Sequence, residues 1–218
     1  MNALPVIVVG AGGHAIVVAD ALLAAGQRVL GFTDPDVERH GGTLCGLPVL
    51  GDDAVLARHT PQTLALANGI GGAGNPNAAA LRRSVQQRLE ACGWHFVTVR
   101  HPAAIVSPFA RIGNAAQLLA ASVVQAGADV GEGCIVNTAA VVEHDVALGS
   151  WSHVAPRAVV CGNVIIGERC HIGAGSVVRQ ALRLANDTIV GAGAVVVKDC
   201  PRGGLFVGVP ARMLKCET

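Results

Sequence analysis

Three adjacent polar residues, Glu143-His144-Asp145, are the part of this 218-residue chain best suited to moving a proton. An imidazole flanked by carboxylates is a base whose orientation and protonated form an acid can support. The same triplet is equally compatible with a solvated surface turn, so its neighbours must decide. Two further histidines, His153 and His171, lie 18 residues apart, and Gly162 lies 18 residues beyond His144. Near the start, Gly10-Ala11-Gly12-Gly13-His14-Ala15 has the G-x-G-x-x-[GA] form in which a strand turns into a helix and bare N–H groups meet a phosphate. A purely structural tight turn has the same form.

The interval of 18 gains meaning from the elements around it. Steps of six from Val106 to Val196 meet Val, Ile or Leu sixteen times without a break. Four residues after each, the side chain is nearly always small, as at Ala116, Ser122, Ala128 and Ala140. A period of six fits neither a helix nor a flat two-sided strand, but suits short strands joined by tight turns around a narrow triangular prism. This pattern resembles the hexapeptide-repeat acyltransferases, whose coils contain three hexads. On that geometry residues 18 apart stack on neighbouring coils, about 4.8 Å apart, the spacing of hydrogen-bonded strands. Gly162 then lies beside His144, where its missing side chain leaves a backbone N–H next to the imidazole. A base beside an oxyanion donor is what acyl transfer requires. His171 likewise stacks on His153, either as a polar edge ladder or as part of a metal site. A second β-helix family, the γ-class carbonic anhydrases, binds zinc through three histidines shared between subunits, two of them five residues apart. No pair among His144, His153 and His171 has that spacing.

Residues 1–101 read as a separate α/β domain and 102–218 as the β-helix with its tail. VIVVG (6–10), RVLGFTD (28–34), LPVLGD and TLALANG have strand character, and HAIVVADALLAAG is helical with Gly26 as its C-cap. NPNAAALRRSVQQRLEACG reads as an amphipathic helix with Pro76 near its start and Leu81, Val85 and Leu89 on its apolar face. HFVTVRHP (95–102) should be the last strand of a small parallel sheet. A domain of about a hundred residues holds one mononucleotide half of a dinucleotide-binding fold more comfortably than two, which favours a sugar nucleotide over NAD. Asp34 and Asp36, after the second strand, are the acids placed to meet a ribose.

Formal net charge is +1 with no basic run, so nothing marks an electrostatic footprint for nucleic acid or an anionic membrane. The apolar start has no basic segment before it, and Asp20 interrupts the next apolar stretch, so neither a signal peptide nor a spanning helix fits and a cytoplasmic protein is expected. Seven widely spaced cysteines without a CxxC argue against a disulfide framework or a zinc knuckle; they read as reduced thiols, several of them core fillers. Cys161 adjoins Gly162, but nothing beside it in sequence marks an activated thiolate.

Together, the GxGGH turn, the short α/β domain, the HPxA segment (His101 to Ala104), the EHD corner and the closing Gly208-Val209-Pro210-Ala211-Arg212 stretch resemble one subfamily across essentially the whole chain. These are the sugar-nucleotide N-acetyltransferases of the PglD and perosamine N-acetyltransferase type, with the NeuD-type sialic-acid O-acetyltransferases as close relatives. The resemblance implies a homotrimer that binds acetyl-CoA between subunits and the sugar nucleotide in the N-terminal domain, without metal. It makes His144 the catalytic base and Asp145 its partner. The family more often has Glu at that place, which leaves Glu143 as the alternative. It puts His153, Gly162 and Gly173 at the cofactor and Gly10, Gly12, Gly13, His14, Asp34 and Asp36 at the nucleotide sugar. FTDPD departs from the DD form associated with uridine nucleotides, which leans the reading towards guanosine, with UDP- and dTDP-sugars still open. The implied reaction is direct transfer to a C4 amine of a 4-amino-4,6-dideoxy sugar; O-acetylation would use the same base and cofactor site.

Overall fold

The computed structural model describes residues 4–71 and 76–214, so Cys216 and the first residues of the apolar start lie outside the described residues. The N-terminal half contains β1 (Val6–Val9), α1 (Gly13–Ala24), β2 (Val29–Thr33), β3 (Thr43–Leu44), β4 (Leu47–Gly51), β5 (Ala65–Asn68) and α2 (Pro76–Ala91). Its sheet has the order β3-β4-β2-β1-β5. β1 pairs in parallel with both β2 and β5, and is buried along its whole length, as an unbroken VIVV run covered on both faces must be. β3 alone runs antiparallel, to β4. α1 is capped at Ala25, and Gly26 follows with a φ of 74°, the left-handed position where glycine costs least.

Two expectations for this half are corrected. Leu89 is buried, but Leu81 is 55% exposed, and the fully buried residues of α2 are Arg82 and Gln86. This helix face is polar because polar groups receive it. Asn68 Nδ2 donates to the Arg82 carbonyl and to Gln86 Oε1, and an Arg82 amino group donates to the Gly133 and Trp151 carbonyls. The segment 95–102 does not form one closing strand. Phe96 makes a single bridge to Leu66 of β5, and β6 (Val99–Arg100) already pairs with Gln117–Leu118 of the following domain.

That domain is a left-handed parallel β-helix. Sixteen short strands run from β7 (Ile105–Val106) to β22 (Val195–Val196), and every sixth aliphatic residue found in the sequence is the second or last residue of one of them. Strands pair with those 18 residues away, giving three sheets in the order the chain visits them. The first face runs from Ile105–Val106 to Val195–Val196, the second from Arg111–Ile112 to Arg183–Leu184, and the third from Val99–Arg100 to Arg212–Met213. The aliphatic residues fill the prism, only Val106 and Ile112 of the first coil being less than fully buried. The small corner residues point inwards too: Ala116, Ser122, Cys134, Ala140, Ser176 and Thr188 are all completely buried. Three of the cysteines, Cys134, Cys170 and Cys200, are such corner fillers, and burial pushes their thiols up to about 12, 11 and 11.

The N-terminal half packs on the third face. Ile135 and Leu119 join Val6, Val18 and Val99 in one cluster, and Ala115 joins Leu64, Leu66 and Phe96 in another. Ile135 and Leu119 are both fully buried there, a gain of about 1.5–3 kcal/mol for each side chain.

Candidate active site: an exposed edge and an interdomain cavity

His144 follows Val141–Val142 of the first face, so it stands on the edge between the first and second faces, across the prism from the N-terminal half. Its Nδ1 lies 2.9 Å from Asp145 Oδ2, with both side chains more than half exposed. Two glycines, one coil to either side, make room for this pair. A Cβ on Gly162 would lie 2.6 Å from His144 Cε1 and collide with Nε2, and one on Gly127 would collide with Asp145 Oδ1. The Nε2 end of the ring therefore lies against Gly162. Asp145 itself has a left-handed φ of 58°, which turns its carboxylate back to the neighbouring imidazole. Glu143 is used differently, its carboxylate accepting from the His144 backbone N–H at 3.4 Å. With a carboxylate on Nδ1, the proton rests there and Nε2 is left with its lone pair, the arrangement of a base.

The second region is a cavity of about 1100 Å³ between the N-terminal sheet and the third face. It lies at the carboxyl ends of β1, β2 and β5, where ligands of parallel sheets bind. The turn Gly10 to His14 forms one wall, and Asn137, Thr138, His153 and Pro156 of the β-helix form the opposite one. Helix α1 has Gly12 as its N-cap, with no side-chain cap and no acid in its first turn, so its first N–H groups face the cavity as an anion site. Asp34 lines the cavity, its Oδ2 accepting from the Ala11 N–H at 2.8 Å. Leu81 and Val17, both exposed, and Val85 give it an apolar side.

Its histidines are held by amides. His153 is buried, with Nε2 3.0 Å from Asn137 Nδ2, and stacks edge-on against His171 with ring centres 5.0 Å apart. His14 Nε2 lies 2.7 Å from Gln117 Oε1. Burial lowers the pKa of His14, and Arg82 adds to that while the Gln117 bond opposes it. His171 is lowered by burial as well, again with a contribution from Arg82. Among the described residues, no group of three His, Cys, Asp or Glu converges as metal ligands would.

Residues 5–89 match the family described as PglD N-terminal domain, and residues 152–180 match the bacterial transferase hexapeptide (six repeats). The acetyltransferase domain of PglB from Neisseria gonorrhoeae FA1090, in complex with acetyl coenzyme A, is similar over 96% of this chain and 98% of its own, at 37% identity and a TM-score of 0.88. PerB from Caulobacter crescentus, in complex with CoA and GDP-perosamine, is similar over 97% of each chain, at 36% identity and a TM-score of 0.87. WeeI from Acinetobacter baumannii AYE shares 27% identity over 97% of this chain and 100% of its own, with a TM-score of 0.87. No curated protein sequence matches the chain. The chain belongs to the PglD-like hexapeptide-repeat sugar N-acetyltransferases. It is an acetyltransferase.

Not all the residues singled out in this acetyltransferase's sequence come together. His144, Asp145 and Gly162 share one edge, while Gly10, Gly12, Gly13, His14, Asp34 and His153 share the cavity. Asp36 lies outside the cavity lining; it caps the turn at Val37–Arg39 and pairs with Arg39. Gly173 sits against the backbone of Val190 to Ala192 on the next coil, where a Cβ has no room. Gln117, Asn137, Thr138, Asp53 and Arg88 went unnoticed in the sequence, as did the Gly69-Ile70-Gly71 loop. The loop alone left a signal: glycines directly after TLALAN, at the carboxyl end of a strand. A Cβ on Gly71 would lie 2.9 Å from His14 Cβ, so these glycines let the loop close on the phosphate turn.

Proposed function

We propose that this acetyltransferase moves the acetyl group of acetyl-CoA directly to the C4 amine of a nucleotide-linked 4-amino-4,6-dideoxy sugar, with a GDP-linked sugar such as GDP-perosamine favoured. The observation that carries the reading is the exposed edge, where Asp145 holds His144 Nδ1 at 2.9 Å and Nε2 is aimed over Gly162. The amine nitrogen attacks the thioester carbonyl carbon, and His144 Nε2 takes the proton the nitrogen must lose. The Gly162 N–H stands to stabilise the carbonyl oxygen as it gains charge; the C–S bond then breaks, and the departing CoA thiolate takes up the proton held on His144 Nε2. In the cavity, the open N-terminus of α1 receives the diphosphate, and Asp34, at the end of β2, is placed for a ribose hydroxyl. The 36% identity to PerB, whose structure holds CoA and GDP-perosamine, supports the choice of donor and acceptor.

This reading needs more than one copy of the chain. A sugar seated in the cavity lies across the prism from His144 of the same chain, so the base comes from a neighbour. The first face offers the surface for it. Its outward-pointing residues are Ile105, Val123, Val141, Val159, Val177 and Val195, an unbroken aliphatic column. The second face breaks its column with charge, carrying Arg111, Asp129, Ala147, Ile165 and Arg183 at the same positions. We take the assembly to be the homotrimer that the family resemblance implies, with two chains contributing to each site.

The deciding experiment is acetyl-CoA-dependent thiol release with GDP-, UDP- and dTDP-linked 4-amino sugars, followed by analysis of the product. Turnover to an amide, fastest with the GDP sugar, is expected. No release with any of the three overturns the function; an ester product would make the enzyme an O-acetyltransferase.

A further inference from the structure

The cavity contains an imidazole whose protonation pattern is dictated by the other domain. Gln117 belongs to the third face of the β-helix and is 2% exposed. Its Nε2 donates to the backbone carbonyl of Asn68 at 2.6 Å, and its Oε1 lies 2.7 Å from His14 Nε2. A backbone carbonyl only accepts, so the amide has one orientation: nitrogen towards Asn68, oxygen towards His14. That oxygen also only accepts, so the proton of His14 sits on Nε2. Asn68 cannot easily swing away, because its side chain is tied to the Arg82 carbonyl, Gln86 Oε1 and the Ile70 N–H. The lowered pKa of His14, from burial and from the facing Arg82 of α2, keeps the ring neutral near pH 7. Nδ1 therefore carries a lone pair, and it has no hydrogen-bond partner among the described residues.

We propose that Gln117 is a positioning residue that holds His14 as the Nε2–H tautomer, so that Nδ1 accepts a hydrogen bond from an N–H or O–H of the sugar. The inference rests on the function proposed above and divides the labour of the Gly10–His14 turn. A phosphate oxygen has no proton to offer and would meet the lone pair of Nδ1, so the phosphates are left to the N–H groups of α1. The β-helix thus sets how the nucleotide-sugar domain reads its substrate.

The test uses the full-length enzyme labelled with ¹⁵N at histidine, in wild-type form and as Gln117→Leu and Gln117→Glu, with His14→Asn to assign the signal. Long-range ¹H–¹⁵N spectra of the wild type should show His14 protonated at Nε2 and bare at Nδ1. Gln117→Leu should lose this preference and raise KM for the nucleotide sugar about tenfold, the worth of one directed hydrogen bond, with kcat and KM for acetyl-CoA little changed. In Gln117→Glu the carboxylate beside Nε2 favours the doubly protonated ring, whose Nδ1 donates instead of accepting. Its KM should therefore be high at low pH and return towards wild type as pH rises, a pH-dependent rescue that a packing role would not give. In a His14→Asn background, Gln117→Leu should add little. A wild-type His14 bare at Nε2, or an unchanged KM in both Gln117 variants, overturns the proposal. If Gln117→Leu does not fold, the wild-type spectrum and Gln117→Glu still decide. Absence of turnover in the wild type would count against the proposed function, while the spectra would still report on the tautomer.

Discussion

The exposed edge and the interdomain cavity each hold an imidazole, and the two are built to opposite ends. His144 has a carboxylate on Nδ1 and solvent around it, so Nε2 is left as the atom that takes a proton. His14 has an amide on Nε2, a half-buried ring at the cavity wall and a guanidinium nearby, so its charged form is penalised. The same side chain is prepared for proton transfer in one place and for recognition in the other, and the partner atom makes the difference. On the proposed function, chemistry and recognition stand on opposite sides of the prism, and the reaction would be tied to assembly.

The largest effect should come from breaking the exposed edge. His144→Asn keeps a polar group but removes the base, and kcat should fall by about 10²–10⁴-fold while KM for the nucleotide sugar stays within a few fold. Steady-state kinetics check this, and an unchanged kcat would remove His144 from the role. A second variant sharpens the contrast. Gly12→Asp gives α1 an N-cap carboxylate that occupies its N–H groups and repels phosphate, so it should abolish sugar-nucleotide binding in a stable protein. If each site draws its cavity and its His144 from different chains, oligomers reassembled from equal amounts of the two variants should recover about a quarter of wild-type activity. A site confined to one chain would recover none.

Smaller changes test the geometry within the edge. Gly162→Ala places a methyl group where the imidazole lies, and displacing the base by about an ångström should cost on the order of 10²-fold in kcat. Asp145→Asn should cost only about fivefold, because the pair is more than half exposed and water screens it. Glu143→Gln touches the backbone alone and should cost less than Asp145→Asn in parallel assays; the reverse order would reassign the acid.

The two regions also differ in how far they could be read from the chain. In the β-helix every residue's place follows from a count of six, because each coil repeats the last. Val142, Gly162 and His144 are therefore located relative to one another by their spacing alone. The cavity has no such ruler. Gln117 occupies an outward position shared with Ile135, His153, His171 and Ile189, and nothing in that column says that a histidine 103 residues earlier will meet it. The burial of Arg82 is hidden in the sequence for a related reason. Polar residues on an otherwise amphipathic helix point to solvent unless a partner surface satisfies them, and that surface, the carbonyls of Gly133 and Trp151, comes from another domain.

The mildest prediction follows from two half-buried imidazoles and concerns stability. His14 and His171 both have pKa values lowered from 6.5 in the folded protein. Well above pH 6.5 each is neutral whether folded or unfolded, and pH has no leverage through them. As pH falls through 6.5 the unfolded chain binds protons that the folded one refuses, so stability declines until the folded-state pKa values are reached. The melting temperature should therefore drop between pH 7 and pH 5. In His171→Gln, where one such group is gone, the drop should be shallower by roughly one proton's worth of slope. Equal slopes in the two proteins would mean that His171 is not held neutral on the third face.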